Sequence, residues 1–99
     1  MTADPPAGLI PFSPDWTIPP GDILVAELRE RGMNRTALAV ASGVAADVVD
    51  ALIRGARPVD QEIAEGLHKA LGPSAQFWLN LQVNHDAAVA RGAVVTRLL

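Results

Sequence analysis

The sequence has no cysteine and no tyrosine, and its 99 residues include only two phenylalanines and two tryptophans. Without cysteine there are no disulfides, no thiolate nucleophiles and no zinc-finger-type ligation, and nothing calls for an oxidising compartment. A cytoplasmic location is therefore the expectation. Long apolar runs are missing too: none approaches the ~18 residues of a membrane span. The N-terminus has neither the basic patch nor the apolar stretch of a secretory signal. An excess of positive charge is the third absence. Eight Lys and Arg stand against eleven Asp and Glu, for a net charge of −3, and the isoelectric point is near 5.1. Such a chain has no global pull toward nucleic acid, so any DNA binding has to come from a local patch. What is present is apolar material, 49% of the residues. A chain of this length buries about 60–65% of its unfolded surface, which suffices for one small domain.

Six of the eight prolines lie between Pro5 and Pro20, so residues 1–19 read as an extended arm. A helical domain is expected over 20–91, followed by an apolar tail over 92–99. The first helix runs from Pro20 to Arg31, with Ile23, Leu24, Ala26 and Leu28 inward, Asp22 near its positive end and Gly32 as its stop. Asn34 caps a second short helix to about Ser42, with Leu38 and Ala39 inward and Gly43 ending it. Val44 sits in the next turn, and Val48, Val49, Leu52 and Ile53 form the apolar face of a third helix that Gly55 closes. Asp60 caps a fourth helix through Leu71, with Ile63, Ala64 and Leu67 inward. Ser74 caps a fifth, which carries Phe77, Trp78 and Leu81 and reaches about Arg91. The tail is apolar apart from Thr96 and Arg97 and needs a surface to bury it.

Two short helices joined by a tight glycine turn are the requirement of a helix-turn-helix. Gly43 supplies positive φ without a Cβ penalty, and Ala39 is small enough to let the second helix approach the third. Around this turn, Pro-Pro-Gly-Asp-Ile-Leu at 19–24, Leu-x-Glu-Arg-Gly-Met at 28–33, Ile53-Arg54-Gly55 with Arg57, and Phe-Trp-Leu-Asn-Leu-Gln at 77–82 with Asn84 resemble the HigA-type antitoxins of the lambda-repressor-like (XRE) helix-turn-helix group. The resemblance covers roughly residues 15–86. Pro14-Asp15-Trp16 is also similar to longer regulators that add a zinc-peptidase-like domain, but the His-Glu-x-x-His motif of that domain is absent.

The resemblance implies an all-α, five-helix lambda-repressor-like domain with an extended Pro-rich N-terminal arm. It further implies a homodimer, with the third helix in the major groove of double-stranded operator DNA. The base-facing positions would be Ala45, Ala46, Asp47, Asp50 and Ala51. These depart from the family, which usually places hydrogen-bond donors there. Aspartate can accept from cytosine N4 and alanine can meet a thymine methyl, so base reading is weakened rather than forbidden. Phosphate contacts would fall to Arg35, Arg54 and Arg57, helped by the neutral donors Asn34, Thr36 and Ser42 and by backbone N–H groups at the starts of the second and third helices. Three arginines face two aspartates over residues 34–57, a small excess for a protein that neutralises phosphates.

Phe77, Trp78 and Leu81 are assigned to core and dimer packing rather than base stacking. Trp16 either packs back on the domain or anchors a partner. His68 and His85 read as surface or cap-side histidines; no metal and no cofactor is expected. Asp47 and Asp50 lie three apart on one helical face, yet no nucleophile joins them, so no enzymatic activity is expected. Two functional readings follow. The first is an antitoxin-like autorepressor that binds operator DNA as a dimer and neutralises a small basic toxin. The second is a helix-turn-helix-fold interaction module with weak or no DNA binding.

Overall fold

The structure is a computed structural model in which residues 16–97 are described; most of the expected arm therefore lies outside the described residues. Its order is β1 (Trp16–Thr17), α1 (Pro20–Arg31), α2 (Arg35–Ser42), α3 (Ala46–Arg54), α4 (Gln61–Leu71), α5 (Ala75–Ala90) and β2 (Val94–Val95). The ends of the helices follow from local chemistry. Pro20 occupies the first turn of α1, where its missing N–H costs nothing. Asn34, Asp60 and Ser74 cap α2, α4 and α5, accepting from Ala37, Ile63 and Phe77 N–H respectively. Gly32, Gly43 and Gly55 adopt the left-handed region at the ends of α1, α2 and α3. After Gly32 and Gly55, the N–H groups of Met33 and Ala56 reach back to Leu28 and Ala51 carbonyls at 2.9 and 2.8 Å, a Schellman closure.

The core draws on every helix: Leu24 and Leu28, Leu38, Val49, Leu52 and Ile53, Ile63, Ala64, Leu67 and Leu71, and Trp78, with Val59 from the α3–α4 connection. Burying each large side chain is worth about 1.5–3 kcal/mol, so these residues dominate the fold. Ala26, expected inward, is exposed, and Ile23, Ala39 and Val48 are half-buried. The helical cylinder of α1 presents only Leu24 and Leu28 squarely to the core. Two glycines sit where backbones meet. A Cβ on Gly21 would collide with the Leu52 carbonyl oxygen, and one on Gly66 would lie 2.7 Å from the Ser42 carbonyl oxygen. The crossings of α1 with α3 and of α2 with α4 thus depend on glycine.

The tail does not lie as an apolar strip on the domain. Val94 and Val95 pair in parallel with Trp16 and Thr17, and Thr96 N–H donates to the Thr17 carbonyl at 2.8 Å. Thr17 Oγ1 is 3.0 Å from His85 Nδ1, which ties this small sheet to α5. Trp16 stays 60% exposed.

Candidate nucleic-acid interface

The α2 and α3 axes bend by 118° across the residues Gly43 to Ala45, within the range of helix-turn-helix units. Gly43 has φ 74°, and its N–H donates to the Ala39 carbonyl at 3.0 Å. Ser42 Oγ accepts from Val44 N–H at 3.1 Å. Ser42 is buried, so the hydroxyl expected as a phosphate donor belongs to the turn. Below the turn, Val49, Leu52 and Ile53 pin α3 to the core.

On the outer side of α3, Ala45, Ala46 and Asp47 are exposed, and Asp50 and Ala51 are half-buried. None of the five positions is buried. At each of the two helix starts one backbone N–H is already engaged: Asn34 Oδ1 takes that of Ala37 at 2.8 Å, and Asp47 Oδ1 takes that of Val48 at 3.0 Å. Thr36 is exposed at the start of α2.

The cations of this surface are mostly paired. Arg35 Nη1 donates to Asp50 Oδ1 at 2.9 Å, joining the first residue of α2 to the middle of α3 with both side chains about half exposed. Arg57 Nη2 lies 3.7 Å from Asp60 Oδ2. Arg54 makes no ion pair among the described residues and is exposed. The face therefore combines a helix of suitable angle and accessibility with a nearly neutral charge pattern.

Two residues that the sequence reading did not single out together support α3 from behind. Asp22 is fully buried, and Arg97 reaches it from the tail, with Nη2 2.8 Å from Oδ1 and Nε 3.0 Å from the same oxygen. The same guanidinium donates from Nη2 to the Ile53 carbonyl at 3.0 Å, at the C-terminal end of α3, where the helix dipole favours a cation. The hydrogen bond to Asp22 raises the Arg97 pKa above its ordinary value, burial opposes the rise and the Asp22 charge adds to it. One signal for this clamp exists in the sequence: Arg97 is the single charge in an otherwise nearly apolar tail.

Among the aromatic candidates, Trp78 is fully buried, Leu81 is half-buried and Phe77 is 39% exposed. The two rings meet edge to face with centroids 5.1 Å apart. Trp78 Nε1 has no acceptor among the described residues. His68 Nδ1 donates toward the Gly72 and Pro73 carbonyls at 3.1 and 3.2 Å, closing the end of α4. No cluster of potential metal ligands occurs among the described residues. Among the described residues, no single helix is long and apolar enough to cross a membrane.

No protein-family model matches the chain. Virulence-associated protein I of Dichelobacter nodosus is 35% identical over 74 residues, which is 74% of this chain and 68% of that protein. Among solved structures, an addiction module antidote protein of a HigA family from Coxiella burnetii is 35% identical at a TM-score of 0.70, covering 75% of this chain and 82% of its own. The antitoxin HigA of Pseudomonas aeruginosa, solved with the higBA promoter, is 38% identical at a TM-score of 0.69, with 74% and 80% covered. These neighbours are antidote and antitoxin proteins rather than enzymes.

Proposed function

The chain belongs to the HigA family of helix-turn-helix antitoxins, and from that membership we propose that it is a cytoplasmic autorepressor that binds the operator of its own operon as a homodimer and neutralises a small basic toxin. The observation that carries the DNA-binding part is the 118° α2–α3 unit with an accessible α3 face, in a fold shared with an antitoxin solved on promoter DNA. In this reading Ala45, Ala46, Asp47, Asp50 and Ala51 face the bases, while Arg35, Arg54 and Arg57, with Asn34 and Thr36, meet phosphates. Phe77 is exposed near the start of α5, and Val83 and Val89, on other sides of the same helix, are 62% and 45% exposed. The exposed Phe77 ring supports pairing of two copies, with Trp78 retained in each core.

The test is a titration against the duplex upstream of its own gene at two salt concentrations. Arg54 is unpaired among the described residues, so Arg54→Ala should weaken binding across sequences and flatten the slope of log affinity against log salt by about one unit per protomer. Absence of duplex binding even at low salt overturns the operator reading. The pairing of Arg35 and Arg57 with carboxylates favours the second reading, an interaction module with weak or no DNA binding. In that case the protein still captures its protein partner while the titration stays flat.

A further inference from the structure

We propose that Asp50 is a specificity-determining residue that acts through Arg35, holding this guanidinium away from DNA phosphate unless the duplex offers Asp50 a hydrogen-bond donor of its own. The proposal rests on the operator-binding reading above and extends it to a mechanism of selectivity.

The geometry has three elements. Arg35 is the first residue of α2, where the helix-turn-helix would meet the sugar–phosphate backbone, and Asp50 projects from the face of α3 that would meet base edges. Their side chains meet at a single contact, Nη1 to Oδ1 at 2.9 Å. A guanidinium carries five N–H donors, so this contact leaves most of the fork geometrically able to engage a phosphate. The pair is about half exposed on both sides, in a regime where an ion pair exchanges readily against another anion.

On a duplex of arbitrary sequence, the Asp50 carboxylate stays beside Arg35. A phosphate approaching the guanidinium meets a neutral pair and a nearby like charge. The sequence-independent part of binding, which depends on cations displacing counterions, therefore loses one contributor per protomer. On a duplex that places a cytosine opposite Asp50, the N4 amino group donates to the carboxylate. Asp50 then has a partner other than Arg35, and Arg35 turns to the phosphate. One residue thus couples base identity to backbone attraction. This gives an acidic α3 face a use in DNA recognition: it suppresses binding elsewhere.

The experiment compares the wild-type protein, Asp50→Asn, Asp50→Ala, Arg35→Ala and the Arg35→Ala/Asp50→Asn double variant. Each is titrated at several salt concentrations against the duplex upstream of its own gene and against a scrambled duplex of the same composition, and melting profiles confirm folding. Asp50→Asn should raise affinity for the scrambled duplex about tenfold at low salt and steepen its salt slope by about one unit per protomer. The ratio of upstream to scrambled affinity should fall by at least the same factor. Asp50→Ala should do likewise, and the double variant should lose the gain, which places the effect on Arg35. If Asp50→Asn leaves both the ratio and the slope at wild-type values while the wild type binds its upstream duplex, the inference is overturned and the operator reading stands. If no variant binds any duplex at low salt, the operator reading itself fails, and the inference with it. Binding of duplex by Asp50→Asn alone would show suppression by Asp50 but would remove the operator reading, and with it the coupling to base identity.

Discussion

A hydrogen atom in place of a methyl group at Gly21 sets how closely α1 can lie on α3. A Cβ there would overlap the Leu52 carbonyl oxygen and reach the Ile53 backbone, and neither is able to swing aside as a side chain would. Gly66 is a milder case, with the Ser42 carbonyl at 2.7 Å and the Val44 Cγ2 methyl at 3.0 Å from its hypothetical Cβ. Gly43 differs in kind: no atom lies within 4 Å, but φ is +74°, so alanine would incur only the left-handed penalty of about 1–2 kcal/mol. Alanine substitutions should therefore destabilise in the order Gly21, Gly66, Gly43, at about 3, 2 and 1 kcal/mol in denaturant unfolding. A Gly43→Ala loss equal to that of Gly21→Ala would contradict the assignment of backbone contact to Gly21. The turn glycine was legible in the sequence because its role is local, between a helix and its own end. The crossing glycines were not, since Gly21 reads as an ordinary first-turn residue until Leu52, 31 positions away, is laid against it. Ala39 was expected to let α2 approach α3, and it is half-buried against the core; a separate backbone approach, of α2 to α4, falls on Gly66.

Among the elements, the tail differs most from its sequence reading. Five helices were readable because their caps and apolar periods act within a few residues: Asn34, Asp60 and Ser74 each bond an N–H three positions on. β1 and β2 have only two residues each, too few for alternation to register, and their pairing spans almost the whole chain. Arg97 meets Asp22 across 75 positions, and no local pattern announces such a partner. The clamp makes the tail a support for α1 and α3 at once. Arg97→Ala removes the guanidinium from beside a buried carboxylate and from the Ile53 carbonyl. Since the Arg97 side chain is itself 39% exposed, the cost should fall below that of a fully buried pair, at about 2 kcal/mol. Asp22→Asn combined with Arg97→Ala should be less destabilised than Arg97→Ala alone, because the charge left in the interior is then absent. Thermal unfolding of Arg97→Ala, Asp22→Asn and the double variant measures this coupling, and strict additivity would show that the two groups act separately. The sign of the pH dependence is also fixed. A raised folded-state pKa favours the protonated guanidinium, so the Arg97 contribution is fully present below the ordinary arginine range and is lost only as pH rises through the still higher folded value. Changes in stability between pH 5 and 9 would therefore have to come from other groups.

For the molecule as a whole, charge separates its two proposed partners. The α2–α3 surface has its arginines largely matched by carboxylates, while Glu27, Glu30, Glu62, Glu65 and Asp86 add to a chain whose net charge is −3. Attraction to a polyanion is therefore local and short-ranged, confined to Arg54 and to whatever Arg35 and Arg57 can release. Attraction to a basic protein is not so confined, because the field of an acidic surface acts at separations of about a Debye length, ~10 Å at 0.1 M salt. The two associations should thus respond to salt through different quantities. Binding of a small basic toxin encoded beside this gene should lose association rate, by about tenfold or more between low and physiological salt, with a smaller change in dissociation rate. Operator binding should instead lose equilibrium affinity with a shallow slope that reflects few phosphates neutralised. Surface-immobilised toxin and DNA, probed with the same protein over the same salt series, give both quantities directly. A salt-independent association rate with the toxin would remove the electrostatic account of neutralisation and leave apolar contact as the driving force.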